Sequence, residues 1–257
     1  MLDRFRKAKA IEIARLEALH ATKRIPAPYP DARPSFTASL EAAGRAPLIA
    51  EYKRASPSRG ELNMHTSPEE AAAAFAAAGA GAISVLTEEQ YFKGNLSFLE
   101  RAAGAGLPLL RKDFILHLLQ VQQTASTPAS AILLIARMMD ESGLRELLDE
   151  SFRFGLEAVV EIFDTADLTV ARKAGARIIQ VNNRDLDRLT VDLTISESLI
   201  REKDDGEFWI TASGIDSPEQ LEHLLAAGFN AALVGSSLMR SGDPGQALRS
   251  LLRRRDG

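Results

Sequence analysis

The chain places two carboxylates and two ammonium groups where short apolar runs end. Glu51 and Lys53 stand two apart at the close of the run 47–53, so in an extended segment both side chains leave the same face. Lys112, followed by Asp113, closes the run 108–112, and Glu161 falls at the end of 158–162. Asn182, Asn183 and Arg184 end a further run, Ser213 and Gly214 another, and Gly235, Ser236 and Ser237 the last. If these tips surround one opening, the lysines and glutamates must face one another. Their proton affinities are then coupled and shifted, which is what general acid–base chemistry uses. Charged residues gather wherever strands reach solvent, so one such tip says little; ionisable or hydrogen-bonding groups at six of them are hard to explain that way. The Gly-Ser turns suit a different task. Glycine lets backbone N–H groups approach an anion and serine hydroxyls add donors, so Gly214, Gly235 and Ser236, with Arg54 to Ser58 after the first run, point to a bound phosphate.

The elements that must hold these tips follow a regular alternation. Eight β-rich runs lie at 47–53, 82–87, 108–112, 131–136, 158–162, 178–182, 208–213 and 231–236, most of them separated by helical stretches. That is the spacing of parallel βαβ units. Ser67-Pro68-Glu69-Glu70 and Ser217-Pro218-Glu219-Gln220 read as helix starts with a capping box and proline in the first turn. Gly79, Gly106, Gly155, Gly175 and Gly228 each sit just before a strand, where a helix ends on a left-handed residue. Runs such as Ala131 to Ala136 are apolar on both faces, as strands covered by helices must be. Eight units, with no Gly-x-Gly-x-x-Gly after the first strand, predict an α/β fold, a closed (β/α)8 TIM barrel, rather than a doubly wound sheet. In such a barrel the active site lies at the C-terminal ends of the strands, and the loops after the seventh and eighth commonly hold phosphate.

Residues 1–45 precede the first strand and read as a helical extension of a single barrel domain over 46–257. Leu2, Phe5, Ile11, Ile13, Leu16 and Leu19 suggest an amphipathic first helix. Pro26, Pro28, Pro30 and Pro34 impose an extended connector, and a short second helix is expected from Phe36 to about Ala43.

Composition narrows the function classes. The 257 residues carry a net charge of −4 with acidic and basic groups interspersed, so a nucleic-acid surface is not expected. No window reaches the roughly 18 apolar residues of a membrane span, and no secretory signal is apparent, so a cytoplasmic protein with no membrane partner is expected. Cysteine is absent, which removes disulfides, thiolate metal sites and cysteine nucleophiles. His20, His65, His117 and His223 show no ligand spacing, so no metal site is expected. Trp209 reads as packing. Phe92 and Phe114 fit loop packing and a ring-binding wall equally well.

The strand ends also carry a resemblance. Leu48 to Gly60 (Leu-Ile-Ala-Glu-Tyr-Lys-Arg-Ala-Ser-Pro-Ser-Arg-Gly) is similar to the long signature of the indole-3-glycerol-phosphate synthase family. So are Ser84 to Gly94, Leu110 to Ile115, Val181 to Leu186 and Val234 to Arg240, in order over roughly residues 45 to 240. The resemblance implies ring closure of 1-(2-carboxyphenylamino)-1-deoxyribulose 5-phosphate with loss of CO2 and water, a lyase step of tryptophan biosynthesis. It implies Lys112 as the general acid on the ketone oxygen and Glu161 as the acid–base partner in the loss of water. Glu51 and Lys53 would orient the substrate and assist. Asn182 and Arg184 would hold the hydroxyls and the anthranilate carboxylate, with Ser213 as a further substrate contact. Lys53, Ser56, Gly214, Gly235 and Ser236 would form the phosphate cradle. The implied partner is the small sugar-phosphate/anthranilate substrate; no metal or cofactor is implied, and association with other enzymes of the pathway stays open.

The chain departs from the family pattern at several positions. Ala212 stands where the family has Glu in Glu-Ser-Gly-Ile, Tyr52 where Ile or Val is usual, Phe163 where His often follows Glu161, and His117 at a position usually Asp. Residues 127–130 (Thr-Pro-Ala-Ser) replace a Gly-Ala-Asp corner. Ala212 keeps a second reading open, a barrel that binds a phosphorylated ligand without catalysis or with altered specificity. A phosphoribosylanthranilate isomerase is disfavoured because that family typically uses a cysteine base.

Overall fold

The computed structural model describes residues 2–42, 46–185 and 189–253. Ala43, at the expected end of the second helix, and Leu186, at the end of the sixth-strand motif, lie outside the described residues. Eight strands form the barrel: β1 (Ala46–Tyr52), β2 (Ala80–Leu86), β3 (Leu109–Lys112), β4 (Ala131–Ile135), β5 (Glu157–Ile162), β6 (Ile178–Asn182), β7 (Phe208–Ala212) and β8 (Ala231–Val234). Each pairs in parallel with its neighbours, and β8 closes onto β1 through Leu48–Ala232, Ile49–Leu233 and Ala50–Val234. Ahead of them run α1 (Leu2–Ala21) and α2 (Phe36–Glu41). Between and after the strands come α3 (Pro68–Ala77), α4 (Ser97–Ala102), α5 (Leu118–Ala125), α6 (Glu141–Arg153), α7 (Thr165–Ala174), α8 (Thr194–Leu199), α9 (Pro218–Ala226), α10 (Ser236–Arg240) and α11 (Pro244–Leu252). The chain is a (β/α)8 barrel with an N-terminal helical extension.

Local chemistry explains the corners. Ser67 and Ser217 each accept a hydrogen bond from the third helical N–H, and Glu70 and Gln220 reach back to the cap N–H groups, so both capping boxes are formed. His117 caps α5 by accepting from the N–H of Leu119, which replaces the carboxylate usual there. Gly79, Gly175 and Gly228 take φ values of +96°, +101° and +118°, conformations that would strain a side-chain-bearing residue. Five strands end one or two residues earlier than expected, at Tyr52, Leu86, Ile135, Ala212 and Val234. β7 stops at Ala212 because Ser213 turns to φ +73°, and β8 stops at Val234 because Ser236 begins α10.

Alternate residues of each strand fill the barrel. Ile49, Ala82, Leu110, Leu133, Val159, Ile178, Ile210 and Leu233 are buried in one apolar cluster, while residues of the opposite parity pack under the helices with Phe75, Leu99, Leu144 and Leu224. Along β1, β5 and β6 the inward positions change from apolar to polar toward the C-terminal end: Ile49 then Glu51, Val159 then Glu161, Ile178 then Gln180 and Asn182. The N-terminal extension reaches both ends of this core. Phe36 and Leu40 of α2 plug the bottom, where Glu157 accepts from the N–H groups of Phe36 and Thr37. Phe5 of α1 packs at the top, stacked on Phe114 with ring centroids 3.9 Å apart. The expected stripe on α1 is shifted: Ile11 is exposed, and Lys9 takes the inward position instead.

Candidate active site

At the C-terminal end of the barrel the four ionisable groups form an alternating chain. Lys53 Nζ lies 2.7 Å from Glu51 Oε1, Lys112 Nζ lies 3.9 Å from Glu51 Oε2, and Lys112 Nζ lies 3.7 Å from Glu161 Oε2. The register places them: β1 delivers Glu51, β3 ends on Lys112, and β5 raises Glu161 one position from its end. Glu51 and Glu161 are both buried, and for Glu51 the charges beside it decide the ionic form. For Glu51, burial pushes the pKa up most strongly, but Lys53 and Lys112, with hydrogen bonds from Lys53 and Ser84, together bring it below its ordinary value. For Lys112, burial favours the neutral amine, yet Glu161 and Glu51 prevail and its pKa rises. Lys112 is therefore an ammonium at neutral pH, half-buried beside the two carboxylates.

A cavity of about 870 Å³, counting its open mouth, lies over this chain. Lys53, Ser56, Asn182, Arg184, Ala212, Ser213 and Ser236 line it with the four ionisable groups, and Phe5, Phe92 and Phe114 form an aromatic side. A second hollow of about 610 Å³ adjoins it, sharing Glu51, Lys53, Arg184, Ser213 and Ser236. Arg59, Gly214, Gly235 and Ser237 add to its wall, with Asp216 as a second carboxylate beside Glu51. This hollow is suited to an anion. The first turn of α10 offers N–H groups that no helical carbonyl satisfies, and three cations stand around it. Burial and the nearby Arg59 both lower the proton affinity of Arg184, against the pull of Glu51 and Asp216, so the two guanidiniums repel each other across space an anion would fill.

Two glycines are required by these contacts. A Cβ on Gly235 would lie 2.5 Å from Glu51 Oε1, so only glycine lets the eighth-strand turn pass beside the carboxylate. Gly214 has φ +86°, and a Cβ there would collide with Val191. The strained Ser213 before it is held from below: Asn183 Nδ2 donates to the carbonyl of Ser213 at 3.1 Å and to Thr211 Oγ1 at 3.2 Å. Asn182 Oδ1 accepts from the N–H of Arg184, and the Arg184 guanidinium donates to the carbonyl of Leu189.

The structure thus brings all the expected site residues to one rim. They divide between two spaces: Lys112, Glu161, Asn182 and Ser56 line the larger, Gly214 and Gly235 the smaller, and Glu51, Lys53, Arg184, Ser213 and Ser236 both. Ser56 lies apart from the Gly214 and Gly235 hollow, with its hydroxyl 3.4 Å from that of Ser58. Phe92 and Phe114 pack with Phe5, as the loop-packing reading expects, and both also line the cavity. Trp209 is wholly buried and donates to Glu207, a packing role. Tyr52 is buried with its hydroxyl on the carbonyl of Thr66, and Phe163 packs under Arg137.

Sequence reasoning missed Phe5, Arg59, Glu88 and Gln180. Glu88 is buried on the cavity wall and accepts from the N–H groups of Gln90, Tyr91 and Phe92, which shapes the aromatic loop. Gln180 had a readable signal, a polar residue in the middle of an otherwise apolar run, two before Asn182.

Fold and rim together define a (β/α)8-barrel enzyme. The family model for indole-3-glycerol phosphate synthase matches residues 2–251. The indole-3-glycerol phosphate synthase of Desulfosudis oleivorans is 41% identical over 250 residues, covering 96% of this chain and 95% of that one. That of Aquifex aeolicus is 43% identical over 208 residues, 80% of each. The chain belongs to the indole-3-glycerol phosphate synthase family. Among solved structures, 3-hexulose-6-phosphate synthase superposes with a TM-score of 0.62 at 15% identity, covering 80% of this chain and 97% of that chain. Mandelate oxidase superposes with a TM-score of 0.60 at 19% identity, covering 80% and 70%. These two share the fold alone.

Proposed function

We propose that this enzyme closes the pyrrole ring of indole-3-glycerol phosphate from 1-(2-carboxyphenylamino)-1-deoxyribulose 5-phosphate, releasing CO2 and water, and that the whole chain works as one barrel domain. The observation that carries this reading is the alternating chain Lys53–Glu51–Lys112–Glu161, two buried carboxylates between two half-buried lysines, beneath a cavity with an aromatic side and an adjoining anion hollow. In this reading the phosphate occupies the hollow of Lys53, Gly214, Gly235 and Ser236, with Ser56 at the neighbouring edge. Arg184 holds the anthranilate carboxylate, and Asn182 and Ser213 contact the substrate hydroxyls.

The carbon bearing the carboxylate attacks the ketone carbon. The ketone oxygen gains negative charge, and Lys112, an ammonium kept charged by two carboxylates, offsets that charge and donates the proton. Breaking the C–CO2 bond returns its electron pair to the ring system. Loss of the new hydroxyl as water, with Glu161 as the acid–base group, completes the indole. Glu51 fixes both lysines. This reading places the protein in the cytoplasm, in keeping with a chain free of cysteine.

The purified chain, given this substrate, is expected to release CO2 and fluorescent indole-3-glycerol phosphate in equal amounts. Substrate that binds and is recovered unchanged would overturn the reading in favour of a non-catalytic barrel.

A further inference from the structure

Beneath the rim, one polar side chain is bound to the catalytic carboxylate and to nothing else. Gln180 is fully buried on β6, in register with Glu161 on β5 and Ile210 on β7. Its Nε2 donates to Glu161 Oε2 at 2.6 Å, the same oxygen that lies 3.7 Å from Lys112 Nζ. Its Oε1 is buried with no hydrogen-bond partner. A buried amide with an orphaned carbonyl is costly, and an apolar side chain would fill this strand position at less cost, so the residue needs a reason beyond packing. Ala212, two residues beyond Ile210 on β7 and paired with Asn182, brings only a methyl to the cavity, so β7 brings no carboxylate to help hold Glu161.

We propose that Gln180 is a positioning residue for the ring-closing reaction, its amide fixing the Glu161 carboxylate where it meets Lys112 and the reacting atoms. The donor N–H satisfies the ionised carboxylate. When Glu161 carries a proton, a half-turn of the amide presents Oε1 as the acceptor instead, so one side chain serves both states of an acid–base group. The charged groups around Glu161 are Lys112 from β3 and, beyond it, Glu51 and Lys53 from β1 and Arg184 after β6. The inference rests on the assignment of Glu161 as an acid–base group.

The test is steady-state kinetics on the full chain with 1-(2-carboxyphenylamino)-1-deoxyribulose 5-phosphate, in wild type, Gln180→Met, Glu161→Gln and the double variant. Gln180→Met keeps the length without the donor. Its kcat should fall roughly 10- to 100-fold, the worth of a hydrogen bond to a charged group, with KM little changed. In the Glu161→Gln background the same substitution should cost almost nothing, because the group it serves is gone. Equal losses in both backgrounds, or an unchanged kcat, would overturn the proposal. Gln180→Glu supplies a second arm whether or not the Met variant folds. Two adjacent carboxylates share a proton at acid pH, which restores a donor, so the deficit of this variant relative to wild type should shrink as pH falls. A deficit independent of pH would contradict the positioning role. Full activity in Glu161→Gln would instead remove the assignment of Glu161 itself, and the Gln180 proposal with it.

Discussion

Glu51 is the residue on which the rim turns, since it neutralises Lys53 and Lys112 at once. Its pKa lies below the ordinary 4.5, so its ionised form adds stability that is complete above that value and disappears as pH falls through the native pKa. Glu51→Gln removes that contribution. Urea unfolding should show the variant less stable at neutral pH, with the gap narrowing as pH drops below 4.5. A gap constant across that range would contradict the pairing. Gly235→Ala makes a steric claim, because the new methyl meets the Glu51 carboxylate. Cooperative unfolding should persist while kcat/KM falls by roughly tenfold or more, as expected when a site group is displaced by an ångström. At this scale the sequence was informative about identity and silent about distance. Glu51, Lys53, Lys112 and Glu161 were legible as strand-end groups, whereas Phe5 and Arg59 reach the site from a helix and a loop that no strand pattern locates.

Elements were legible in proportion to the locality of their causes. The capping boxes at Ser67 and Ser217 and the left-handed corners at Gly79, Gly175 and Gly228 are written within a few residues and form as read. The face of α1 was misjudged because its determinant is distant in sequence. Lys9 is buried because Asp113, at 2.5 Å, pairs with it, and Asp113 is also held by Arg111 at 3.1 Å and by Thr87. Glu12 completes the seam by accepting from Lys9, Arg111 and Gln120. Asp113 follows Lys112 directly, so this seam fixes α1 and the end of β3 together. Breaking a buried ion pair by removing one partner costs about 3–5 kcal/mol. Lys9→Ala should approach the lower end in urea unfolding, since Arg111 still faces Asp113. The exposed Lys7→Ala should stay within about 0.5 kcal/mol. Equal effects of the two would mean that the seam contributes nothing.

The whole molecule is a closed barrel with its apolar layers toward the bottom and its polar residues at the C-terminal rim, fastened at both ends by one N-terminal segment. α2 seals the bottom, α1 forms part of the top, and the connector between them is tied to the barrel where Arg33 donates to the carbonyls of Ala125 and Thr127. The alternation of strands and helices announced this closure, since eight βαβ units in one chain leave few other arrangements. What the alternation could not announce was the use of the extension at both ends, which depends on packing between residues more than a hundred positions apart, such as Phe5 on Phe114 and Phe36 beside Glu157. Ring closure depends above all on the half-buried ammonium of Lys112 at the end of β3. The most direct test is single-turnover formation of indole-3-glycerol phosphate by wild type and Lys112→Ala, with substrate binding measured on both. Binding should be retained within a few-fold and the rate lowered by roughly 10²- to 10⁴-fold in the variant. A Lys112→Ala rate equal to that of wild type would contradict that dependence.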